Sequence, residues 1–217
     1  MVTRAREKPA QDKPGRTEAI GRAPGRLELV RAFVNTLDIE ADTDELSTPP
    51  GLDDWLRARD LTGPGGSAAT DRDLRLAVTI REALRDVLAA HAPGEQRPPA
   101  AALRAAAARL PVTLAVGDDG AVRTVPDRAG PGGAGPAAGL AALLLIAAES
   151  ATAGTWPRLK VCGADDCRWA FYDRSPAGSG CWCSMAICGS RAKSRAFRRR
   201  TATKRPPGGA AAASGSS

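Results

Sequence analysis

The spacing of the cysteines constrains the fold of this chain more strongly than any other feature of its sequence. Two pairs, Cys162-x4-Cys167 and Cys183-x4-Cys188, are separated by 15 residues, and a fifth cysteine, Cys181, lies two residues before Cys183. Each close pair can supply two thiolate ligands from one turn, and the spacer can form a hairpin that brings the pairs together. The pattern therefore predicts a tetrahedral Zn²⁺ site.

Five thiols are available for four ligand positions, and their number alone does not rank Cys181 against Cys183. Choosing Cys183 gives two pairs of equal spacing and places Ser184 directly after the ligand, where a serine can cap a helix. On this basis Cys181 is left over. The expected metal ligands are Cys162, Cys167, Cys183 and Cys188.

A basic helix is predicted to begin at Ser184, with Gly189 as its weak point. Along it Cys188, Ala192 and Ala196 recur at i, i+4 and i+8, a stripe of small residues suited to packing on the metal site. Basic residues flank this stripe on both sides. The candidate nucleic-acid contacts are Arg191, Arg195 and Arg198 in one row, Lys193 and Arg200 in a second row, and the adjacent Arg199.

Positive charge is concentrated at this end of the chain. Residues 158–205 contain 12 Lys and Arg against 3 Asp, a net charge of +9, whereas the rest of the chain carries −2. Basic side chains along an exposed helix attract phosphate backbones. The alternative interpretations are a solvated charged face and a polybasic segment for an anionic membrane surface.

A module of this size rarely folds on its core alone, so bound Zn²⁺ is expected to supply folding free energy. Its aromatic rings are expected to fill a small core rather than to stack on bases. These rings are Trp169, Phe171, Tyr172, Trp182 and Phe197.

Upstream of the cysteines the apolar spacing predicts a helical domain. Helices are expected from Arg26 through Leu37, from Pro49 with Thr48 as N-cap, over residues 71–92, 98–110 and 137–153. The segments VTLAV and AVRTV on either side of GDDG predict a β-hairpin. His91, the single histidine, is interpreted as a residue at a helix end. The longest apolar run, at residues 137–149, is too short to span a bilayer.

The expected fold class is mainly α with a small β-hairpin (α+β). A disordered tail at residues 1–25 precedes a helical domain at 26–155. A four-cysteine zinc module, a hairpin or knuckle followed by the basic helix, occupies 156–203. Residues 204–217 form a second disordered tail.

The cysteine segment combines three motifs: the C-x4-C pair, Trp169-Ala-Phe171-Tyr172-Asp173, and the run from Trp182-Cys183-Ser184-Met185 to Cys188-Gly189-Ser190-Arg191-Ala192-Lys193. In these motifs it resembles the CGNR zinc finger. The resemblance implies the same four metal ligands. Ser190 stands where the family has Asn, and Cys181 stands where a basic residue is expected, so phosphate affinity would depend more on the helix.

The N-terminal part is similar to the ABATE domain, through Phe33-Val34-Asn35-Thr36 and through Leu46-Ser-Thr48-Pro49 with Leu52 and Trp55-Leu56. Proteins of this kind are described as stress-induced transcription regulators and also as zinc-ribbon-like RNA-binding proteins. The resemblance therefore implies nucleic-acid binding without choosing between DNA and RNA. Polar residues around the first helix are candidates for contacting a ligand, although capping or structural hydrogen bonding is the favoured interpretation; they are Arg31, Asn35, Thr36 and Asp38.

The leading hypothesis is a zinc-dependent, DNA-binding transcriptional regulator whose N-terminal domain senses a signal or mediates assembly, possible assemblies including a homodimer. RNA binding and a protein-interaction zinc module are the alternatives. A redox enzyme using Cys181 and Cys183 is disfavoured, since no histidine lies near them in sequence to act as a base. No secretory signal precedes the clustered cysteines, so we expect a reducing, cytoplasmic location and no membrane partner.

Overall fold

The computed structural model describes residues 21–92, 100–129 and 133–203. The predicted disordered tails span residues 1–25 and 204–217; of these, residues 1–20 and 204–217 lie outside the described ranges, as does the start of the Ala-rich helix at Pro98 and Pro99. Residues 21–25 are described, and Ala23 is buried in the main core. Six α-helices are present in the described part of the chain: α1 (Leu27–Val34), α2 (Pro49–Arg57), α3 (Asp71–Ala89), α4 (Ala101–Ala107), α5 (Pro136–Thr152) and α6 (Ser190–Thr203).

Three separate two-stranded antiparallel sheets accompany the helices in the described residues. They are β1 (Leu37–Asp38) with β2 (Thr43–Asp44), β3 (Val112–Val116) with β4 (Val122–Pro126), and β5 (Leu159–Val161) with β6 (Ala170–Tyr172). The expectation of a mainly helical chain with a small β-hairpin is therefore confirmed, and the four-cysteine segment follows the helical part. The pairing of β1 with β2 was not expected from the sequence.

Local sequence signals set several of the helix starts. The side chain of Thr48 accepts a hydrogen bond from the backbone N–H of Gly51, and Pro49 occupies the first helical position of α2. Helix α3 begins with a capping box in which Thr70 and Asp73 each accept a hydrogen bond from the other's backbone N–H. The predicted cap at Thr48 is confirmed.

Helix α1 is shorter than its apolar spacing predicts, and the extension to Leu37 is wrong. The helix ends at Val34, and Leu37 lies in strand β1. The Thr36 hydroxyl donates to the carbonyl of Phe33 at 2.8 Å and accepts from the Arg81 guanidinium at 3.2 Å. These side-chain bonds hold the backbone after α1 in a turn instead of a further helical turn.

The main core lies among α1, α2, α3 and α5. Phe33, Leu56, Leu84 and Leu143 are completely buried in it, and the rings of Phe33 and Trp55 meet edge to face with centroids 5.3 Å apart. Helix α5 buries residues around most of its circumference, as expected for a helix whose sequence is apolar on all sides. In the described part of the chain, no helix combines the length and apolarity needed to cross a membrane.

Strands β5 and β6 extend this core into the cysteine segment. Leu159, Val161 and Ala170 are buried in the same apolar cluster as the helices, and the hairpin lies against α1 and α3. The strands before and after the first cysteine pair are thus packed on the helical domain. The position of the cysteines depends on that packing.

A buried amide from α1 makes the most direct link between the two parts. Asn35, 7% exposed, donates from Nδ2 to the carbonyl of Ala170 at 2.9 Å and accepts through Oδ1 from the backbone N–H of Ala170 at 2.7 Å. One side chain thereby satisfies both backbone groups of a residue at the outer edge of β6. A buried strand edge without such a partner would leave two polar groups unsatisfied.

Two residues of the α3 segment bind the same hairpin. Arg85 is fully buried and donates to the carbonyls of Val34 and Arg168, at 2.6 and 2.8 Å. His91, just beyond α3, places Nδ1 2.7 Å from the carbonyl of Leu159 and meets the Trp156 ring edge to face. The expected helix-end position of His91 is confirmed, and its contact is with the carbonyl of another segment.

We predict that Asn35→Ala lowers the free energy of unfolding by about 2 kcal/mol or more, because it leaves the N–H and C=O of Ala170 buried without partners. Chemical denaturation of the zinc-saturated protein measures the change, and faster hydrogen exchange at the Ala170 amide reports its location. The control is Thr79→Ala, since Thr79 is exposed and its hydroxyl bonds only within α3. Equal stability of Asn35→Ala and the wild type would contradict the prediction.

Candidate metal centre

The first cysteine pair lies in the turn between β5 and β6. Cys162 directly follows β5, and its backbone N–H donates to the carbonyl of Trp169 at 2.9 Å, which continues the ladder beyond the strands. The N–H of Cys167 donates to the carbonyl of Ala164 at 2.9 Å, and Arg168 takes a left-handed conformation with φ of 47°. This tight turn directs both thiols to one side, as a metal knuckle requires.

The second pair lies at the start of the C-terminal helical segment. Ser184 accepts a hydrogen bond from the backbone N–H of Ile187 at 3.3 Å, so the predicted N-cap is confirmed. The first turn, Met185–Gly189, is a π-turn in which the N–H of Gly189 reaches the carbonyl of Ser184 at 3.0 Å. Helix α6 continues from Ser190. The wide turn carries Cys188 inward, where it is completely buried.

The four predicted ligands meet at one point. The sulfur atoms of Cys162, Cys167, Cys183 and Cys188 all lie within 4.8 Å of one another. The Sγ of Cys183 is 3.7 Å from that of Cys167 and 3.7 Å from that of Cys188. Tetrahedral Zn²⁺ with Zn–S bonds of about 2.3 Å separates its sulfurs by roughly 3.8 Å. The donor set and its spacing therefore fit a structural zinc ion.

The packing of the thiols against one another shifts their pKa values in opposite directions. Hydrogen bonds from Cys167 and Cys183 lower the pKa of Cys162 to about 2, whereas the bonds that Cys183 makes to Cys162 and Cys167 raise its own pKa. Burial raises the pKa of Cys188 to about 12. A divalent ion would stabilise the thiolate form of all four ligands.

Cys181 lies outside the sulfur cluster. Its half-buried thiol donates to the carbonyl of Ser179 at 3.4 Å, and its own carbonyl accepts from the backbone N–H of Gly163 at 2.9 Å. The backbone bond joins the loop before the second pair to the turn of the first pair. Cys181 thus contributes through its main chain to bringing the pairs together.

Three of the five aromatic side chains of this segment pack around the cluster, and two do not. Trp169 and Phe171 are buried with the cysteines, and Trp182 packs partly buried against them. Tyr172 packs against the helical core instead. The prediction that Phe197 fills the module core is wrong, because its side chain is 61% exposed on α6. Phe197 lies on helix α6, nine residues after the last ligand, Cys188.

Gly189 lies close to the side chains of Met185 and Trp182. A Cβ at this position would lie 2.9 Å from the Sδ of Met185 and 3.5 Å from Cδ1 of Trp182. The same indole lies 3.5 Å from a Cβ built on Gly163, next to Cys162. The Trp182 ring therefore lies between the glycines that follow the first and last ligands.

A buried ion pair shapes the loop between the cysteine pairs. The Nζ of Lys160 lies 2.9 Å from Oδ2 of Asp173, and the two side chains are 2% and 4% exposed. Lys160 also donates to the carbonyls of Gly178 and Gly180. Hydrogen bonds from Ser175 and the Lys160 ammonium outweigh the effect of burial and hold the pKa of Asp173 well below its usual range. The carboxylate is therefore ionised at neutral pH and stays paired with the Lys160 ammonium.

Sequence reasoning missed this role of Lys160. The residue lies between Leu159 and Val161 in a three-residue strand that is buried on both faces, so no alternation marks it as inward. Asp173 belongs to the quoted aromatic motif, but its partner lies 13 residues earlier. Only the hairpin register, which pairs Leu159 with Tyr172, brings the two side chains together.

The predicted arginine row lines a shallow groove on α6. Arg191, Arg195 and Arg198 border it together with Ile187, Ser190 and Ser194. Arg191 donates to Glu40 at 3.1 Å, and Arg195 donates to Asp166 at 3.4 Å. Glu40 belongs to the β1–β2 turn, which therefore reaches the basic helix from the helical domain.

The other candidate contacts also lie on the surface of α6. Lys193, Arg199 and Arg200 are exposed. Ser190, in the position where Asn was expected, donates its hydroxyl to the carbonyl of Met185 at 3.2 Å, across the junction of the π-turn and the helix. A hydroxyl at this position can therefore form a hydrogen bond to the nearby backbone.

The four polar residues considered as ligand contacts are all held by hydrogen bonds inside the protein. Arg31 is buried and forms an ion pair with Glu28. Asn35 hydrogen-bonds to the backbone of Ala170, and the Thr36 hydroxyl accepts a hydrogen bond from the Arg81 guanidinium. The Asp38 carboxylate accepts from the backbone N–H groups of Glu40 and Ala41. A ligand-binding role for Arg31, Asn35, Thr36 and Asp38 stays a prediction.

Comparison with family models gives two matches in tandem. Residues 27–154 match the model ABATE, described as "Putative stress-induced transcription regulator", and residues 158–201 match the CGNR zinc finger. Both resemblances read from the sequence are thereby confirmed. A search of the curated proteins found no match. Neither matching family is described as a family of enzymes.

We predict that the protein binds a single Zn²⁺ through the four-sulfur cluster, and that Cys188→Ser abolishes tight binding because three thiolates and a buried hydroxyl hold the ion less well. Metal content after dialysis against a chelator measures the loss. Cys181→Ser is the matched control, since its thiol lies outside the cluster. Loss of zinc from Cys181→Ser together with retention in Cys188→Ser would contradict this ligand set.

Proposed function

Because the chain belongs to the ABATE family and carries a CGNR zinc finger, we propose that it is a zinc-dependent transcriptional regulator that binds DNA through helix α6. The metal centre fixes the start of α6, and the groove of Arg191, Arg195 and Arg198 supplies the binding surface. The single observation that carries the proposal is this basic groove, whose first arginine, Arg191, lies three residues after the last ligand, Cys188.

The chemistry of the groove suits a phosphate backbone. Its three guanidiniums can each bind phosphate oxygens, and the hydroxyls of Ser190 and Ser194 add weaker donors between them. Lys193, Arg199 and Arg200 extend positive charge around the helix. Phosphate contacts of this kind position a protein on nucleic acid, and base-edge contacts then add sequence preference.

Duplex DNA is favoured over duplex RNA by the shape of α6. The major groove of B-form DNA admits an α-helix, whereas the major groove of A-form RNA is too narrow for one. Exposed apolar side chains on the same segment, Met185, Ile187 and Phe197, are 58%, 37% and 61% exposed and can contact thymine methyl groups or sugars. Single-stranded RNA is the second candidate, because an exposed ring such as Phe197 can stack on an unpaired base.

The helical domain positions the finger through the β5–β6 hairpin. A signal sensed by this domain, or its assembly with a partner, would reach α6 by that route. We place the protein in the cytoplasm, where the reducing conditions keep the four thiols available to zinc. No enzymatic activity forms part of the proposal.

We predict that Arg191→Ala with Arg195→Ala weakens binding to duplex DNA and lowers the slope of log K against log salt by about 1.8, since each lost phosphate contact contributes about 0.9. Fluorescence anisotropy at several salt concentrations, with duplex DNA and single-stranded RNA in parallel, provides the measurement. Arg72→Ala with Arg75→Ala is the matched control, because it removes the same charge from exposed positions on α3.

The outcomes separate the alternatives. Equal losses in both double variants would indicate a general charge effect and contradict a contact surface on α6. Retained affinity for RNA with none for DNA at low salt would move the proposal to its second candidate. Absence of binding to either nucleic acid at low salt, in a zinc-loaded protein, would reject it.

We also predict that Glu40→Gln tightens DNA binding by roughly two- to fivefold, because the Glu40 carboxylate occupies Arg191 and a phosphate has to displace it. The same anisotropy titration applies. Asp54→Asn is the control, since it removes an exposed carboxylate paired with Arg57 on α2. A gain of equal size in both variants would show that total charge, and not the contact with Arg191, is responsible.

A further inference from the structure

The hairpin β3–β4 carries an apolar surface that nothing in the described chain covers. Val112, Leu114, Val116 and Val122 are 51%, 70%, 71% and 62% exposed. A two-stranded hairpin is marginally stable by itself in water. Strand β4 is supported on one side, because it lies against α5, while every residue of β3 is exposed. The hairpin therefore has one supported and one open strand.

The open edge of β3 can accept another strand. The bonds from Gly117 N–H to the Ala121 carbonyl and from Asp127 N–H to the Pro111 carbonyl show that odd-numbered residues of β3 face β4. The backbone groups of Val112, Leu114 and Val116 consequently point outward. In the described chain they make no hydrogen bond to another segment.

The sequence of β3 is symmetric in character about its centre. Read in either direction, Val112-Thr113-Leu114-Ala115-Val116 alternates a large apolar residue with a small one, and it contains no charge and no proline. Edge strands of proteins that stay separate usually carry Lys, Pro or a bulge that blocks pairing. This edge lacks all three.

We propose that two copies of the chain pair through β3 in antiparallel fashion about a two-fold axis at Leu114, and so form a four-stranded sheet. Leu114 then faces Leu114 of the second copy, and Val112 faces its Val116. The outward-pointing N–H and C=O groups of these residues pair with one another in this register. The four exposed apolar residues of each hairpin join into one stripe across the sheet.

Charges at the ends of the strand fit the same register. Beyond Val116 the turn carries the exposed carboxylates Asp118 and Asp119, and before Val112 the exposed Arg109 ends the α4 segment. Antiparallel pairing centred on Leu114 brings the acidic turn of one copy toward Arg109 of the other, at both ends of the interface. A parallel arrangement would instead bring like charges together at each end of the strand. The charges therefore favour the antiparallel register.

The pairing is independent of nucleic acid, and if the proposed function holds it gives the regulator two α6 helices related by the two-fold axis. Sedimentation of the zinc-loaded protein without nucleic acid tests it. The wild type is expected to be a dimer at micromolar concentration. Leu114→Lys is expected to weaken dimerisation by roughly 10-fold or more, since two lysines would then face each other on the axis.

The control is Val122→Lys, which places the same charge on the same apolar face but on β4, away from the pairing edge. We expect this variant to remain largely dimeric. A monomeric wild type overturns the proposal. So does a dimer that Leu114→Lys leaves intact, or one that both lysine variants disrupt equally, because the latter result would place the apolar face and not the edge in the interface.

A charge exchange supplies a second test that does not alter the strand. Asp118→Lys alone and Arg109→Glu alone should each weaken the dimer, and the two changes together should restore it. Circular dichroism confirms folding of each variant. Loss of dimer in the combined variant, at wild-type folding, would overturn the antiparallel register. Loss of DNA binding in a dimer that behaves as expected would instead count against the proposed function alone.

Discussion

The hairpin β5–β6 is the constraint on which the rest of this structure depends, because two cores use it at once. Its apolar side chains Leu159, Val161 and Ala170 complete the helical core, while the turn between its strands presents Cys162 and Cys167 to the other ligands. The hairpin is too short to hold its own shape. Asn35, Arg85 and His91 satisfy its outward backbone groups from the helical side, and the sulfur cluster holds its turn from the other.

Because the hairpin belongs to both cores, the helical domain and the zinc module do not separate at a single residue. Sequence composition separates a helical domain from a zinc module near residue 155, and the family matches fall on either side of the same position. Physically, the strands beyond that position are buried in the helical core. A finger excised at residue 156 would expose Leu159 and Ala170 and leave the Ala170 amide without its partner. The metal module is therefore a separate segment of the sequence but not a structurally separate unit.

The features predicted from sequence are those that short spacings encode. Paired cysteines, the Thr48 and Ser184 caps, the VTLAV hairpin and the arginine row all follow from residues within one or two turns of each other. The features that sequence reasoning missed depend on tertiary contacts. Arg81 and Arg85 are buried on α3, which the apolar spacing of this helix does not predict. They are buried because their guanidiniums bind carboxylates and carbonyls in distant segments. Phe197 was assigned to a core because an aromatic residue near a metal usually packs there, but the direction of α6 leaves it in solvent.

The π-turn at Met185–Gly189 sets how helix α6 is rotated about its axis relative to the metal centre. Each residue in an α-helix advances the side-chain direction by about 100°. A second pair spaced one residue more closely would meet the same ion from an ordinary turn, and the arginine row that follows would emerge on a different side of the molecule. The four residues between Cys183 and Cys188 therefore set the side of the molecule on which Arg191, Arg195 and Arg198 lie.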